Sequence, residues 1–304
     1  MLVVSSSHVV YLIFFIIITT PFNSAFHHAY HGGRIVKQPP LHSLNKNQLD
    51  FMANECCILV NENDHIIGEC SKSEAHTFSI TNPRALLHRA FSLFLFNTEG
   101  KLLIQQRALD KITFPGVWSN TCCSHPLFRQ IPDEVDDDLA VSSGNVIGVK
   151  NAIQRKLLQE LGVTLNKAQT DRIKYLTRVH YWAADKVTHG EQSPWGEHEV
   201  DYILFCQLDS IECNPNAEEV KDFKYVTLSE LKEMMLPSSG LLWSPWFRII
   251  VEKFLVHWWE DLNTTLTTEK FVDYTTIYRF DPREEHQGGA GGAGKWLGTA
   301  KYLD

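Results

Sequence analysis

Residues 154–163 read Gln-Arg-Lys-Leu-Leu-Gln-Glu-Leu-Gly-Val and end a segment with helical periodicity. In that segment an apolar residue recurs at every fourth position, at Val149, Ile153, Leu157 and Leu161. Residues with this spacing lie on one face of an α-helix, and glycine is common just after a helix end because it tolerates the left-handed conformation. The sequence therefore predicts a helix over 149–161 that stops at Gly162 and carries Arg155 and Glu160.

Segments typical of β-strands lie on both sides of this helix. His88–Phe96 is largely apolar on both alternating faces, which predicts an interior strand. A turn at 97–100 is predicted to return the chain along Lys101–Arg107 as its hairpin partner. Further strands are predicted at Cys57–Val60, Tyr175–Trp182, Val200–Leu208 and Phe223–Val226. The acidic run Pro132–Asp138 predicts a solvated loop.

The last predicted helix has Ser244 as its N-cap and Pro245 at its first position. Its apolar stripe comprises Phe247, Ile250, Val251, Phe254, Leu255, Trp258 and Trp259. Strands and helices in this arrangement indicate an α/β (α+β) fold. The length predicts a single catalytic domain of about 200–220 residues.

The composition limits the classes of function. The chain has 304 residues, 44% of them hydrophobic, and a formal net charge of -8. A negative chain is a poor ligand for nucleic acid or an anionic membrane, and it needs local Lys, Arg or a divalent metal to bind a phosphorylated substrate. We also expect a small-molecule substrate, no stable membrane insertion of the mature protein, and a monomer. The seven cysteines include two adjacent pairs, Cys56-Cys57 and Cys122-Cys123. Neighbouring cysteines cannot bridge each other without strain, so no disulfide framework is evident and a reducing compartment is expected.

The two ends of the chain differ from its middle. Val9–Ile18 is an apolar run that is short for a membrane span, which favours a signal peptide over residues 1–25 or, alternatively, an uncleaved interfacial anchor. Residues 26–48 are basic and free of acidic side chains, as in a transit or linker segment. The two segments together resemble a bipartite plastid leader; the alternatives are the endoplasmic reticulum lumen and the cytoplasm. The catalytic domain is predicted over 49–280, and a flexible Gly-rich tail over 281–304.

The segment Phe114–Pro126 contains a thiol and an imidazole two residues apart. In an extended chain this spacing places Cys123 and His125 on the same side. A thiol that shares a pocket with a metal-binding histidine is commonly used for proton transfer or nucleophilic attack.

The segment Trp195–Tyr202 supplies two carboxylates with the same spacing. Glu197 and Glu199 project to one side of the predicted strand, while His198 points away. Together with the imidazoles of His76, His88 and His125, they could bind a divalent transition metal such as Zn²⁺ or Mn²⁺. Each histidine taken alone is more often structural.

The helix end at 154–163 resembles a degraded Nudix box. Arg155 and Glu160 match the pattern of a Nudix hydrolase, but Lys156 and Gln159 replace two of its glutamates. Such a site should bind fewer Mg²⁺ ions and hydrolyse a diphosphate poorly. The cations available to clamp phosphate oxygens are Lys72, Arg107 and Lys111. The aromatic residues that could stabilise a positive charge are Trp118, Tyr181, Trp195 and Trp246, although aromatic residues are more often core.

With these residues in view, the chain from Leu49 to Phe280 closely resembles type 1 isopentenyl-diphosphate delta-isomerase. The most specific matching segments are Leu87–Phe91, Thr113–Gly116, Asn120–Pro126, Trp195–Glu199 and Ser244–Phe247. The resemblance implies a Nudix-like mixed β-sheet sandwich flanked by helices. It also implies interconversion of isopentenyl and dimethylallyl diphosphate through a tertiary carbocation.

The resemblance further implies a role for each matched residue. Cys123 and Glu199 match the catalytic pair, Tyr181 the partner of the glutamate, and Trp246 the indole near the cation. The ligands of the buried divalent metal (Zn²⁺, Mn²⁺ or Mg²⁺) are matched by His76, His88, His125, Glu197 and Glu199. Glu160 matches the carboxylate that holds Mg²⁺ against the diphosphate. The diphosphate contacts are matched by Lys72, Arg107 and Lys111.

Two other functions compete with an isomerase. A Nudix-type diphosphohydrolase is disfavoured by Lys156 and Gln159. A non-catalytic prenyl-diphosphate binder is disfavoured because binding alone requires neither the thiol of Cys123 nor the carboxylate of Glu199.

Overall fold

The computed structural model describes residues 46–79, 84–209 and 211–280. The signal peptide predicted at 1–25, nearly all of the 26–48 segment and the tail at 281–304 lie outside these residues. The described part begins with helix α1 at Lys46–Asn54, slightly ahead of the predicted domain start at Leu49. Within it, no helix has both the length and the apolar character needed to cross a membrane.

Ten strands of the described residues join in one mixed sheet with the central order β10-β7-β8-β3-β1-β2. The strands are β1 Cys56–Val60, β2 Ile66–Ser71, β3 His88–Phe96, β4 Leu102–Arg107, β5 Trp118–Ser119, β6 Cys122–Ser124, β7 Lys174–Ala184, β8 Gly196–Gln207, β9 Val220–Val226 and β10 Ile277–Phe280. β3 runs parallel to β8, and β10 runs parallel to β7. β6 pairs with the other edge of β3, and β4 pairs with β9.

Helices cover both faces of this sheet. After α1 they are α2 Lys72–His76, α3 Asp138–Ser143, α4 Ile147–Leu161, α5 Lys167–Asp171, α6 Lys186–His189, α7 Leu228–Met234, α8 Pro245–Ile250, α9 Val256–Glu260 and α10 Leu262–Thr267. A π-helical turn at Val251–Leu255 joins α8 to α9. The α/β sandwich expected from the sequence is confirmed.

The alternation of side chains along β3 builds two separate cores. Phe91 and Leu93 pack with the apolar face of α4, whereas Phe94 and Phe96 pack with the aromatic stripe of α8 and α9. Successive side chains of a strand point to opposite faces, so one apolar strand supplies both cores. The polar site lies beside these two cores, near the starts of the central strands β3 and β8.

The helix predicted at 149–161 is α4, which begins slightly earlier, at Ile147. Gly162 adopts a left-handed conformation with φ of 67°, and its N–H donates to the carbonyls of Leu157 and Leu158. Gly162 therefore ends α4, as the sequence predicts. The helix end at Gly162 also places Glu160 in the last turn of α4.

The predicted hairpin is present, since β4 pairs antiparallel with β3, but the pairing is limited to Phe96 and Leu102. β5 occupies the rest of that edge of β4, and β9 pairs with its other edge. Two other expectations about local structure are wrong. The 132–138 loop is not simply solvated, because Glu134 and Asp136 are buried. Glu134 accepts hydrogen bonds from Arg155, and Asp136 accepts the N–H groups of Gly148 and Val149 at the start of α4. Ser244 occupies the N-cap position, but its side chain makes no capping bond.

A buried carboxylate, Asp64, forms hydrogen bonds with side chains of three strands. It accepts hydrogen bonds from Arg89 of β3 at 2.8 Å and Arg178 of β7 at 2.9 Å, and from the hydroxyl of Tyr202 of β8. All four side chains are buried. Buried charges are tolerated when they are paired and hydrogen-bonded, as they are here.

Replacing Asp64 with asparagine should destabilise the fold strongly. Asparagine tolerates the left-handed backbone at this position, where φ is 66°. The change leaves two buried guanidinium groups without their counter-charge, which costs about 3–5 kcal/mol. Urea unfolding should measure this loss. The control is Asp171→Asn, which breaks the exposed pair with Lys167 and should cost at most about 1 kcal/mol. Equal effects of the two substitutions would contradict this role for Asp64.

Candidate active site

Three neighbouring strands place three polar side chains in one row. His88 of β3 lies opposite Glu199 of β8, and Tyr181 of β7 lies opposite Glu199 on the other side. The hydroxyl of Tyr181 donates to Glu199 Oε2 at 2.5 Å, and His88 Nε2 lies 3.8 Å from Glu199 Oε1. All three side chains are buried. Tyr181 therefore holds one oxygen of the Glu199 carboxylate, while His88 lies on the other side without a hydrogen bond to it.

The five residues predicted as metal ligands come together at this row. Each offers one ligand atom, and these atoms all lie within 4.8 Å of one another; the residues are His76, His88, His125, Glu197 and Glu199. His76 Nε2 lies 2.8 Å from Glu197, and His125 Nε2 lies 2.9 Å from Glu199. A set of buried imidazoles and carboxylates at this separation fits a divalent cation.

The orientation of the imidazoles supports this interpretation. Nδ1 of His76 contacts the carbonyl of Lys72 at 2.7 Å, and Nδ1 of His88 contacts that of Leu86 at 2.8 Å. A donor N–H at Nδ1 leaves the lone pair of Nε2 directed into the group, as in histidine ligands of metals. His88 Nε2 is buried without a hydrogen-bond partner among the described residues. Burial lowers the pKa of His88 to about 3, so this imidazole is neutral.

The two carboxylates differ in acidity. Burial opposes ionisation of Glu197, but the neighbouring imidazole of His76 outweighs it and lowers the pKa of Glu197 to about 2. Burial and the nearby charges of Glu197 and Asp201 raise the pKa of Glu199 well above its ordinary value. Two carboxyl groups with opposite shifts are typical of sites that move protons.

Cys123 and Cys122 point to opposite sides of β6. Cys123 lines the cleft, and its thiol lies 3.7 Å from the hydroxyl of Ser119. Burial raises the pKa of Cys123 to about 12, so it carries its proton at neutral pH. Cys122 instead lies on the α4 side, 3.7 Å from Glu160. The arrangement makes Cys123 the thiol available to a ligand.

The indole of Trp246 is fixed at the same end of the cleft. Its Nε1–H donates to Ser119 at 2.9 Å and to Asn120 at 3.1 Å. Ser119 also contacts the hydroxyl of Ser244 at 2.9 Å, which explains why Ser244 does not cap its helix. The ring therefore stays in one orientation beside Cys123. Trp118 is a core residue that packs against Trp243, and Trp195 is half-buried outside the cleft lining.

The predicted diphosphate contacts lie at the cleft, and two of them are held by carboxylates. Lys72 Nζ lies 2.6 Å from Glu55, and Lys111 Nζ lies 2.7 Å from Glu219. Arg107 donates to the carbonyls of Phe114 and Thr113 at 3.0 and 2.8 Å. Burial lowers the pKa of Lys111 to about 8, despite the opposing effect of Glu219.

Glu160 lies apart from the five-ligand group. Its Oε1 is 3.1 Å from Lys156 Nζ, and its Oε2 accepts a hydrogen bond from Gln105 at 2.9 Å. Lys156 is buried between Glu160 and Glu219, whose carboxylates lie 3.1 and 4.0 Å away. A fixed ammonium group thus stands where a Nudix hydrolase has a metal-binding glutamate.

One cleft brings most of these groups together. The predicted site residues that line it are Lys72, His76, Arg107, Lys111, Cys123, His125, Glu160, Glu197, Glu199 and Trp246. His88 and Tyr181 lie behind Glu199. The sequence patterns give no role to Ser119, Glu55 or Glu219. Ser119 lies within the segment Phe114–Pro126, next to Asn120, but nothing in the sequence links the two glutamates to distant lysines.

Comparison with known proteins gives concordant results. A model of the NUDIX domain matches residues 86–247. The chain is 44% identical over 238 residues to isopentenyl-diphosphate Delta-isomerase 1 of Bos taurus, which covers 78% of this chain and 96% of the bovine protein. It is 44% identical over 241 residues to the isopentenyl-diphosphate delta-isomerase of Schizosaccharomyces pombe, covering 77% and 94%. It is 42% identical over 236 residues to the chloroplastic isopentenyl-diphosphate Delta-isomerase II of Arabidopsis thaliana, covering 76% and 78%.

The domain match and the mixed sheet define a Nudix-domain protein. Within that class, the chain belongs to the isopentenyl-diphosphate Delta-isomerase family, since it aligns with nearly the full length of the animal and yeast members. The family and the Nudix-like fold expected from the sequence are confirmed.

The five-ligand group should hold one divalent cation per chain. Elemental analysis of the purified protein should find it, and His88→Ala should reduce the bound metal well below one equivalent because a buried ligand is lost. His180→Ala is the control, since His180 lies outside the five-ligand group and contacts His198 at 3.0 Å. Unchanged metal content in His88→Ala would contradict the assignment.

Proposed function

We propose that this chain converts isopentenyl diphosphate into dimethylallyl diphosphate by adding one proton and removing another. The observation that carries the proposal is that Cys123 and Glu199 face one cleft from different strands. An acid and a base on opposite sides of an allylic unit are what a double-bond shift requires. The family membership supports the same reaction.

The basic end of the cleft is where the diphosphate would bind. Lys72, Arg107 and Lys111 would donate charge-assisted hydrogen bonds to its oxygens. Each lysine is fixed by a carboxylate, which reduces the entropy lost when it meets the substrate. Glu160 would hold a Mg²⁺ ion against the diphosphate, as carboxylates do in phosphate sites. Binding energy from this end would position the hydrocarbon against Cys123 and Glu199.

The proton steps belong to the catalytic pair. Addition of a proton at C4 leaves a tertiary cation at C3, and removal of a proton from C2 forms the new double bond. Tyr181 holds Glu199 Oε2, and Ser119 contacts the thiol of Cys123, so both groups have a fixed direction. One of the pair supplies the first proton and the other accepts the second.

The cation needs shielding from water and a partner for its charge. Trp246 is buried beside Cys123 and is oriented by two hydrogen bonds. The face of an indole stabilises a cation by about 0.5–2 kcal/mol, and by more where water is excluded. The buried cleft therefore protects the intermediate from capture as an alcohol.

The five-ligand group would hold Zn²⁺, Mn²⁺ or Mg²⁺. A bound divalent cation would supply positive charge beside Glu199 and tune the acidity of that carboxyl. The protein residues keep the ligand set in place: Tyr181 anchors one oxygen of Glu199, and backbone carbonyls orient His76 and His88.

The alternative functions are less well supported by the geometry. A diphosphohydrolase needs a cluster of metal-binding carboxylates, and Lys156 fills that space with an ammonium group. A non-catalytic binder has no use for a buried thiol and a carboxylate held by Tyr181 in the same cleft. Release of inorganic phosphate would instead favour the hydrolase.

We also propose that the protein acts in a plastid after an N-terminal leader has directed it there. Chloroplastic relatives from Arabidopsis thaliana and Cannabis sativa support this compartment. The endoplasmic reticulum lumen and the cytoplasm are the alternatives. A small-molecule substrate is expected from the family membership, and the negative charge of the chain disfavours nucleic acid as a partner. The monomeric state stays a prediction.

Loss of either catalytic group should abolish turnover without unfolding the protein. Cys123→Ala and Glu199→Gln should each lower kcat by at least about a hundredfold, the usual worth of a general acid or base. The rate of dimethylallyl diphosphate formation measures the effect. Cys122→Ala is the matched control, since this thiol lies on the α4 side, and it should retain most activity. Near-wild-type rates in either catalytic variant would refute the assignment.

A further inference from the structure

Asp185 is a fully buried carboxylate that none of the motifs includes. It follows β7 directly and occupies the N-cap of α6. Its Oδ2 accepts the backbone N–H of Phe114 at 2.8 Å, and its Oδ1 accepts that of Thr188 at 3.1 Å. One carboxylate therefore joins a short helix to the loop that precedes β5.

The residue that Asp185 holds has an unfavourable backbone conformation. Phe114 has φ of 48°, in the left-handed region that residues other than glycine seldom adopt. Such a conformation persists only where its surroundings enforce it, and strained residues of this kind cluster at ligand-binding sites. One contact that constrains Phe114 is the hydrogen bond from its backbone N–H to Asp185.

Phe114 contacts two side chains that line the cleft, Arg107 and Trp246. Its carbonyl accepts a hydrogen bond from Arg107 Nε at 3.0 Å, and the carbonyl of Thr113 accepts one from Nη2 at 2.8 Å. Its ring packs edge-on against Trp246 with centroids 5.7 Å apart. The guanidinium of Arg107 lies 5.6 Å from the centre of the same indole. A rotation at Phe114 would thus move both Arg107 and Trp246.

We propose that Asp185 is a positioning residue for the reaction: by holding Phe114 in its left-handed conformation, it orients Arg107 towards the diphosphate. The inference rests on the proposed function, because it assigns Arg107 to the diphosphate. A carboxylate suits the task because it accepts two N–H groups at once. An amide would accept one and direct its own NH₂ group at the other.

Asp185→Asn is the first test. The KM for isopentenyl diphosphate and the Kd for magnesium pyrophosphate, measured by calorimetry, should each rise about tenfold, as expected when a charge-assisted contact is misplaced. Asp185→Ser keeps a side chain that caps helices well but is too short to hold both N–H groups. It should show the same rise, and it provides a folded variant if the asparagine variant is unstable.

A stability control separates positioning from helix capping. Asp137 caps α3 by accepting the N–H of Ala140 at 2.8 Å, and it is exposed and outside the cleft lining. Asp137→Asn should shift the unfolding midpoint slightly and leave KM and Kd unchanged. An equal rise in KM for this variant would overturn the proposal.

The decisive experiment is a double-mutant cycle with Arg107→Ala. If Asp185 acts through Arg107, adding Asp185→Asn to Arg107→Ala should change the pyrophosphate Kd less than twofold further. Additive effects, or an unchanged Kd in the single variants Asp185→Asn and Asp185→Ser, would overturn the inference. Failure of the wild-type protein to isomerise the substrate would count against the proposed function alone, because the pyrophosphate affinities still decide the role of Asp185.

Discussion

The parallel pairing of β3 with β8 is the constraint on which the site depends. This register sets His88 opposite Glu199, and the antiparallel register of β7 sets Tyr181 on the other side of the same carboxylate. A shift by one residue would turn Glu199 to the opposite face of the sheet and bring His198 in its place. The metal-ligand group and the catalytic carboxyl therefore depend on one strand register.

The second organising feature is the pairing of buried charges around the cleft. A chain with a net charge of -8 forms a local site for an anion by burying Lys111 and Lys156 against Glu219, and Lys72 against Glu55. The carboxylates fix the ammonium groups and offset part of the cost of removing them from water. Lys156 stands at a position where the Nudix box pattern has a glutamate, and it forms ion pairs with Glu160 and Glu219.

Much of this could be predicted from the sequence, because the relevant patterns are local. Periodicity located α4 and β3, and the spacing of Glu197 and Glu199 placed both carboxylates on one face. The pairing of strands far apart in sequence could not be predicted in this way. β4 forms most of its bonds with β9, and β10 adds to β7 in parallel, through contacts between distant segments. The burial of Glu134 and Asp136 was missed for the same reason, since their side chains accept hydrogen bonds from α4. The role of Asp185 could not be predicted either, because its contact with Phe114 joins segments that are distant in sequence.

The central claim is that the two proton transfers occur at one buried pair, Cys123 and Glu199. The most direct test is to incubate the purified protein with isopentenyl diphosphate and Mg²⁺ in deuterated water and to follow the products by NMR. The expected product is dimethylallyl diphosphate that carries solvent deuterium in the methyl group formed from C4. Product without deuterium would contradict proton exchange with these residues, and substrate that binds but stays unchanged would contradict the isomerase itself.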